Sequence, residues 1–573
     1  MERILKLTKL KIVNFRNFDE CEIQLANKNL IFGMNDVGKS NLMYALRLLF
    51  DNKVRNYQIF NTDFHQMNTA KNIEISCFID IGDDDEYSQI LSAYAENAIL
   101  TDKADFCIKL TIEQSDNNQF NTNLYWGTVD EELIPIPTKG INRTKLDDVF
   151  HCIFVPAHNN TTTTFKDFKY ELLRSHIAVE EDKEIKNNIS NLNKSVNENI
   201  SKLSSVMNME VYLNNQLGIF DDNYQIKIRP NHTFGDLHNN LDIYMYDKIL
   251  EENEEPRIYP TSGDGRIRKV MYAIISYLLK EGKNSDGKIP LLLIEEPENH
   301  LFISSQIELS QTIFNDDFNP YLFLVTHSPQ LFFKISNDAN LIRLYKNNCH
   351  IKVKSEIVNI GGEYNQLKNI LMESLSQCLF VNRVLLVEGP SEKLLFEWVL
   401  DTLGKKRDDI VIQAINGIYF DKYVKVLHGL GIKILLKTDN DIAKVKRKSD
   451  EPQKYTALGF NRCVKLNNLI NPSENIDLLC PNHLSHQEFR EFIIDNYSEN
   501  INIFKNNGIY LSNTDLEHDL SVCLNRDDES FVENLQKSKW VRMCDLINEL
   551  TIEDAKKIYN HSYFKCLKDL VDG

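Results

Sequence analysis

The chain has 573 residues, 42% of them hydrophobic, and its 65 basic and 83 acidic side chains give a net charge of −18. At roughly 100–200 residues per domain, this length predicts about three or four structural units. The acidic balance excludes a protein that coats nucleic acid indiscriminately, but it permits a local basic groove and suits a site that gathers carboxylates around divalent cations. The 11 cysteines form no CxxC pair, which indicates reduced thiols and neither a disulfide framework nor a zinc site.

The amino-terminal segment MERILKLTKLKIVNF alternates apolar and polar residues, which predicts an amphipathic strand and not a signal peptide. No apolar run in the sequence approaches the roughly 18 residues that a membrane-spanning helix needs. We therefore expect a cytoplasmic protein without a membrane partner.

A glycine-rich loop, GMNDVGKS at residues 33–40, follows an apolar strand and matches the pattern G-x-x-x-x-G-K-S. In that pattern the glycines let backbone amides face phosphates, the lysine reaches the terminal phosphates and the serine hydroxyl binds Mg²⁺. The helical spacing of Leu42, Leu46 and Leu49 predicts a helix that begins near the serine and points its positive end at the anion. The predicted nucleotide ligands of this loop are Asn35, Gly38, Lys39 and Ser40.

Two later apolar runs predict further buried strands that deliver polar residues. The run 290–294 leads to Glu295 and Glu296, which can hold Mg²⁺ through water and orient an attacking water. The run 321–325 leads to His327, which can contact a γ-phosphate. The order of glycine-rich loop, paired acids and histidine predicts a nucleotide site.

A second group of acids follows two predicted strands in the last third of the chain. One strand ends in Glu388, and after a Gly-Pro turn a helix begins with Glu392. Another strand leads to Asp439 and Asp441, which converge because alternate residues of an extended segment point the same way. Such carboxylates repel one another unless divalent cations neutralise them, and oxygen ligands suit Mg²⁺ or Mn²⁺. The pattern predicts a two-metal site that acts on phosphodiesters.

The amino-terminal motifs resemble the ABC ATPase superfamily, in particular its RecF/SMC/OLD-like branch. The resemblance is carried by the glycine-rich loop, by NFRNF at 14–18 and by TSGDGR at 261–266, which looks like the family's signature motif. It implies ATP held between two heads, with Gly263 binding the γ-phosphate of the neighbouring subunit's nucleotide. Asp264 and Glu295 depart from the usual Gly and Asp, which favours ATP as a regulator and leaves hydrolysis open. The Q-loop glutamine has two candidates, Gln58 and Gln66.

The carboxyl-terminal acids resemble the Toprim pattern of topoisomerases, DnaG-type primases and OLD nucleases. Glu388 matches the lone glutamate, Asp439 and Asp441 match the DxD, and Glu392 matches the second acid of the E-x-x-x-E in OLD nucleases. These matches imply that the four residues are both metal ligands and catalytic residues.

The segment LSNTDLEHDL at 511–520 resembles the "LExDL" stretch of OLD nucleases, in which Glu517 would be a further metal ligand and catalytic residue. Asp515 and Asp519 are weaker candidates for that role. Lys539 resembles a late lysine that stabilises transition-state charge, and Lys537 competes for this assignment.

The resemblance implies an α/β fold in which an ABC-type ATPase domain with a helical insertion precedes a Toprim α/β domain. The spacing of Ile185, Ile189, Leu192 and Val196 predicts a helix in the insertion, either a dimerisation element or a solvated surface insertion. The expected boundaries are 1–157 and 256–347 for the two parts of the ATPase domain, 158–255 for the insertion, 348–380 for a linker helix, and 381–573 for the Toprim domain with its extension.

A basic run follows the DxD motif and has two interpretations. It either contacts the phosphate backbone of DNA beside the metal site or forms a solvated loop. The run consists of Lys444, Lys446, Arg447 and Lys448.

Taken over nearly its whole length, the chain resembles the OLD nucleases, and more closely the Gabija anti-phage endonucleases. The segments that carry the closer match are residues 31–40, 259–266, 295–298, 383–393, 437–441 and 535–539. The resemblance implies an Mg²⁺- or Mn²⁺-dependent DNA endonuclease restrained by ATP, a homodimer or homotetramer, and a UvrD-like helicase partner (GajB). The alternatives are a RecF-like DNA-binding ATPase with a purely structural metal site, and a primase or topoisomerase, for which little chain remains to supply the extra domains.

Overall fold

The computed structural model describes residues 5–157, 183–217, 288–357 and 368–573, most of these ranges with short internal gaps, together with 227–228 and 273. It divides into two compact units, one made of residues 1–154 and 289–573 and the other of residues 155–288. The second unit is wider than the predicted insertion at 158–255.

Two six-stranded sheets form the amino-terminal part of the first unit. One has the strand order β2-β1-β4-β5-β6-β7 with antiparallel neighbours, and the other has the order β12-β11-β3-β10-β9-β8. The strands are β1 (Lys6–Phe15), β2 (Phe18–Gln24), β3 (Lys28–Gly33), β4 (Ile73–Asp80), β5 (Phe106–Gln114), β6 (Phe120–Thr128), β7 (Ile134–Pro135), β8 (Phe150–Val155), β9 (Ile289–Glu295), β10 (Tyr321–Val325), β11 (Asn340–Asn347) and β12 (His350–Ile357).

Several helices accompany these strands as far as residue 379. They are α1 (Lys39–Phe50), α2 (Asn52–Arg55), α3 (Glu86–Ala95), α4 (Leu146–Val149), α7 (Ile303–Ile313) and α8 (Lys368–Leu379), with short 3-10 helices at Asn61–Asp63, His65–Met67 and Pro329–Phe332. The second unit contains α5 (Lys183–Ser201) and α6 (Ser204–Leu217). The helix α1 contacts strands of both sheets, and its Leu42, Leu46 and Leu49 are fully buried in the core between them.

The strands β3, β9, β10 and β11 are parallel, and the first three are buried along almost their entire length. Continuous apolar runs are what a parallel sheet covered on both faces requires. Because the strands run in the same direction, the residues that follow β3, β9 and β10 lie at one edge of the sheet. That edge carries the predicted nucleotide ligands.

The carboxyl-terminal part of the first unit contains a four-stranded parallel sheet of order β14-β13-β15-β18 and a small antiparallel hairpin, β16-β17. Helices cover both sheets, and one apolar core joins the helices to the larger sheet. The elements are β13 (Arg383–Val387), α9 (Pro390–Thr402), β14 (Ile410–Ala414), α10 (Phe420–Gly429), β15 (Lys433–Thr438), β16 (Ile442–Lys444), β17 (Tyr455–Ala457), α11 (Leu458–Ile470), α12 (His486–Asn496), α13 (Ser498–Asn506), β18 (Ile509–Leu511), α14 (Leu516–Leu524), α15 (Glu529–Lys537), α16 (Lys539–Glu549), α17 (Ile552–Asn560) and α18 (Lys565–Asp572), with a 3-10 turn at Ser562–Phe564.

The segment expected to be a linker, 348–380, contains both a strand and a helix. The strand β12 pairs antiparallel with β11 and extends that six-stranded sheet to Ile357, whereas α8 corresponds to the expected connecting helix. The alternation of apolar and charged residues along β12 is typical of an edge strand with one exposed face. No helix among the described residues has both the length and the apolar composition needed to cross a lipid bilayer.

Candidate nucleotide and active sites

The glycine-rich loop connects β3 to α1, as its sequence predicts. Gly33 and Gly38 adopt φ angles of 148° and 94°, a region that side chains with a Cβ avoid. A Cβ on Gly38 would lie 1.8 Å from Nδ2 of Asn17, and one on Gly33 would lie 2.2 Å from the carbonyl oxygen of Leu344. Backbone conformation and close packing both require glycine at these two positions.

Lys39 begins α1 and is buried within the loop. Its Nζ donates to the carbonyl oxygens of Gly33 at 3.1 Å and Met34 at 2.7 Å. Burial lowers the pKa of Lys39 to about 8, although nearby carboxylates such as Glu296 oppose the shift. Asn35 and Ser40 are exposed beside it. The loop therefore holds the Lys39 ammonium, and the loop carbonyls compensate its positive charge only in part.

The segment NFRNF fixes the glycine-rich loop from the side. Asn17 donates from Nδ2 to the carbonyl oxygen of Val37 at 3.0 Å and accepts from Asn41 of α1 at 2.8 Å. Arg16 donates to Asn41 at 3.0 Å and pairs with Asp63 at 2.9 Å. This hydrogen-bonded network holds the glycine-rich loop against the segment that follows β1.

The acids and the histidine predicted for the nucleotide site meet at the ends of β9 and β10. Nε2 of His327 lies 3.6 Å from Oε1 of Glu296, and burial together with the charge of Lys39 lowers the pKa of this histidine. Glu296 has a φ of 43°, a conformation that is uncommon outside glycine and that recurs at functional sites. Glu295 is the last residue of β9.

Glu298 also belongs to this group, although its position in the sequence did not single it out. Its Oε1 accepts a hydrogen bond from the backbone N–H of His327 at 2.6 Å, and burial raises its pKa. Gly263 and the rest of 261–266 lie outside the described residues, whereas Gln58 and Gln66, the Q-loop candidates, are exposed.

Five predicted acids gather at the carboxyl edge of the four-stranded parallel sheet. Glu388 follows β13 and accepts the backbone N–H of Asp439, which follows the neighbouring strand β15, at 2.9 Å. The acids of the adjacent helices are buried, at 8% exposure for Glu392 on α9 and 1% for Glu517 on α14. We call this group the acidic site: Glu388, Glu392, Asp439, Asp441 and Glu517.

Burial and, to a smaller extent, mutual repulsion disfavour the ionised carboxylates of the acidic site. Burial and the charges of Glu388 and Glu392 raise the pKa of Asp439 to about 9. Burial and the charges of Glu388 and Glu517 likewise raise the pKa of Glu392 to about 7. Burial and Glu388 also raise the pKa of Asp441. Divalent cations bound by carboxylate oxygens would remove this repulsion, so the donor set fits Mg²⁺ or Mn²⁺.

The acidic site contains a basic residue that the sequence analysis missed. Arg462 on α11 contacts Oε1 of Glu388 and the hydroxyl of Thr438 with one guanidinium nitrogen, and its other nitrogen lies 3.8 Å from Asp441. In the orientations seen here, no three histidine, cysteine or carboxylate side chains among the described residues are arranged to hold a metal ion. Side-chain rotations at the acidic site would therefore accompany cation binding.

The weaker candidates of the 511–520 segment have other partners. Asp519 is 1% exposed and pairs with the buried Lys437 at 3.0 Å, which makes it part of the core. Asp515 caps α14 by accepting the backbone N–H of His518 at 2.9 Å. Burial by itself would raise the pKa of Asp515, but its hydrogen bonds with His518 lower the pKa.

The late lysine that reaches the acidic site is Lys539. It begins α16, and its Nζ lies 3.4 Å from Oε2 of Glu517. Burial by itself would lower the pKa of Lys539, but the charge of Glu517 raises it, and the raised pKa is the net result. Lys537, the competing choice, is exposed at the end of α15.

The basic run after the DxD is described only in part. Lys444 and Lys446 are exposed at the hairpin β16–β17, which directly follows Asp441. Arg447 and Lys448 lie outside the described residues.

Comparisons with known proteins agree with both halves of this architecture. Residues 5–332 match a family described as "AAA ATPase domain", and residues 379–441 match "Overcoming lysogenization defect protein-like, TOPRIM domain". The chain is 34% identical to endonuclease GajA of Bacillus cereus (strain VD045), over 99% of each protein. It is 24% identical to Old nuclease of Escherichia phage P2, over 76% of this chain and 77% of that protein.

An ATPase domain followed by an OLD-like Toprim domain defines the class of protein, and the chain belongs to the OLD nuclease family. Its full-length similarity is to endonuclease GajA, and the chain is an endonuclease. The predicted α/β fold, an ATPase domain followed by a Toprim domain, is thereby confirmed.

Proposed function

We propose that this endonuclease hydrolyses phosphodiester bonds of DNA at the acidic site and that ATP bound at the glycine-rich loop restrains it. The observation that carries the proposal is the convergence of five acids at the carboxyl edge of one parallel sheet. Five carboxylates brought together from four different elements lower the stability of the fold unless bound cations neutralise their charges. The names of the relatives, endonuclease GajA and Old nuclease, favour the same activity.

The residues of the acidic site would hold two Mg²⁺ or Mn²⁺ ions. Such ions activate a water molecule and stabilise the leaving oxygen of a phosphodiester. Glu388, Asp439 and Asp441 approach from the ends of neighbouring strands, and Glu392 and Glu517 from the helices beside them. Glu392 and Glu517 are buried, so bulk water screens their charges little.

Two sets of basic residues would act on the DNA. The Lys539 ammonium lies beside Glu517, where it would neutralise charge that develops on the phosphate in the transition state. Lys444 and Lys446 are exposed next to the DxD and would bind the DNA backbone. An overall net charge of −18 makes such a local basic patch necessary for binding.

The nucleotide site would take ATP with Mg²⁺ at Ser40. Lys39, Asn35 and Gly38 would hold its phosphates, and Glu295, Glu296 and His327 would face the γ-phosphate. Gly263 would come from a second copy of the chain. Hydrolysis is not needed for ATP to act as a regulator.

Contacts between the ATPase sheet and the Toprim domain support regulation by nucleotide. Met34 of the glycine-rich loop accepts through Sδ from Nδ2 of Asn382 at 3.6 Å, and Asn382 directly precedes β13, which leads to Glu388. Arg343 of β11 is buried and donates to Oδ1 of Asn382 at 3.0 Å and to the carbonyl oxygen of Gly431 at 3.1 Å. A phosphate that draws Lys39 away from the Met34 carbonyl would therefore also disturb the contact of Met34 with Asn382, at the start of β13.

Self-association and a helicase complete the proposal. A composite nucleotide site needs two heads, so we expect a homodimer or homotetramer, with α5 as part of the interface. We also expect a UvrD-like helicase (GajB) as partner, a role in anti-phage defence and a cytoplasmic location.

Incubation of the purified protein with supercoiled plasmids of several sequences, with Mg²⁺ or Mn²⁺, tests the proposal. Nicked or linear product is expected, with less product when ATP is added. Glu388→Ala is expected to abolish cleavage while the circular dichroism spectrum stays unchanged, and Asp421→Ala, which removes an exposed acid of α10, serves as the control. DNA-stimulated ATP hydrolysis without cleavage under all these conditions would contradict the proposal and favour a RecF-like ATPase.

A further inference from the structure

Arg462 is placed where a divalent cation would bind. Its guanidinium contacts Oε1 of Glu388, and its side chain and that of Glu388 are only 23% and 17% exposed. The same carboxylate also accepts the Asp439 N–H at 2.9 Å and the hydroxyl of Thr438. These bonds direct Oε1 towards protein donors, so a cation that needs this oxygen must compete with the guanidinium for it.

The helix that carries Arg462 is fixed against the DxD loop. A Cβ on Gly459, in the first turn of α11, would lie 2.1 Å from the carbonyl oxygen of Asp439, which shows how closely helix and loop are packed. The backbone of Arg462 therefore cannot retreat when a cation arrives. Its side chain can move, since its second nitrogen lies 3.8 Å from the half-exposed Asp441 and offers an alternative carboxylate nearby.

We propose that Arg462 is a built-in counter-ion that divalent cations must displace from Glu388 before the nuclease becomes active. The inference rests on the proposed function of the acidic site and adds a regulator to it. At low cation concentration the guanidinium neutralises Glu388 and holds it in place. Once displaced, the guanidinium pairs with Asp441 or with a phosphate oxygen of the DNA. Arg462 thereby sets the cation concentration at which cleavage begins.

Mn²⁺ binding to the full-length protein, measured by electron paramagnetic resonance of free Mn²⁺, tests this inference without relying on activity. Arg462→Ala removes the competitor and is expected to lower the dissociation constant for Mn²⁺ roughly tenfold, which corresponds to about 1.4 kcal/mol. Arg462→Lys keeps a cation that cannot span two carboxylates, so an intermediate dissociation constant is expected.

Arg490→Ala is the matched control. It removes the same charge near the same loop, but Nε of Arg490 donates to the carbonyl oxygen of Asn440 at 3.0 Å and not to Glu388. Its effect on Mn²⁺ binding is expected to be less than twofold. Equal tightening in both variants would show a general charge effect and overturn the inference, as would unchanged or weaker binding in Arg462→Ala with an intact circular dichroism spectrum. If the wild type binds no Mn²⁺ and Asp439→Asn changes nothing, the proposed metal site itself fails.

Discussion

Asp439 shows at the scale of one residue how a functional carboxylate opposes folding. Its pKa of about 9, against an ordinary value of 3.8, means that the folded protein binds its proton far more tightly than the unfolded chain. Ionisation of Asp439 therefore destabilises the folded state, and the destabilisation grows as pH rises from about 4 to about 9. Bound divalent cations would reverse this effect.

We expect Asp439→Asn to unfold at a higher temperature than the wild type in EDTA, because an amide places no charge in this buried position and does not repel Glu388. The difference is expected to increase between pH 5 and pH 9, and the stabilisation of the wild type by Mn²⁺ should be lost in the variant. Thermal melts followed by circular dichroism measure both effects. A variant that melts below the wild type across this pH range would contradict the explanation.

Asp519→Asn is the matched control for this experiment. Asp519 is also buried beside the acidic site, but it pairs with Lys437 at 3.0 Å. Removing its charge leaves the Lys437 ammonium buried without its partner, which costs about 3–5 kcal/mol. The same substitution should therefore stabilise the protein at position 439 and destabilise it at position 519.

The sequence identified the acids of the site because each follows a recognisable strand or lies in a motif with fixed spacing. It did not identify Arg462, whose contact with Glu388 joins residues 74 positions apart and depends on how α11 packs. Glu298 was overlooked for a related reason, since its hydrogen bond to His327 becomes visible only when β9 and β10 are paired. Asp519 was a weaker candidate than Glu517 only by resemblance; in the structure Asp519 pairs with the buried Lys437, whereas Glu517 pairs with Lys539.

At the scale of elements, α5 carries an apolar face that matches a self-association helix. Ile185, Ile189, Leu192 and Val196 recur at intervals of four, three and four residues, which is the spacing of a helical seam. Leu192 is 68% exposed and Ile185 is 58% exposed. This exposure fits a face that a second copy of the chain would cover.

We expect Leu192→Glu to reduce the molar mass in solution, because a charge on the seam opposes burial of the face against another copy. Size-exclusion chromatography with light scattering measures the mass. Ser190→Glu introduces the same charge at an exposed position on the opposite side of α5 and is expected to leave the mass unchanged. An unchanged mass in Leu192→Glu would assign α5 to the solvated surface instead.

Buried strands such as β3, β9 and β13 were predicted well because continuous apolar runs bounded by polar motifs leave few alternatives. The antiparallel sheet was predicted only at its first strand, and β12 was not recognised. These strands bury one face, and the charged residues on their other face weaken the apolar signal. Pairing with distant strands, such as β1 with β4, decides their structure.

At the scale of the whole molecule, hydrogen bonds link the sheet of the nucleotide site to the domain that carries the acidic site. Gly33, the last residue of β3, pairs with Leu344 of β11, and the adjacent Arg343 donates hydrogen bonds into the Toprim domain at residues 381, 382, 430 and 431. Arg343 is 3% exposed, and burial lowers its pKa to about 10. The two domains therefore meet through a buried polar junction that adjoins the strand leading to the glycine-rich loop.

We expect Asn382→Ala to weaken the inhibition of cleavage by ATP several-fold, because it removes the contact of Asn382 with Met34 and an acceptor of Arg343. Binding of ATP and cleavage without ATP are expected to persist, which titration with a fluorescent ATP analogue and plasmid nicking measure separately.

Met34→Leu should produce part of the same loss, and the double variant should add little to it, as for residues that act through one contact. Asn560→Ala, whose Nδ2 donates to the Lys556 carbonyl oxygen of its own helix, is the control. Full inhibition by ATP in Asn382→Ala would exclude this route between the sites.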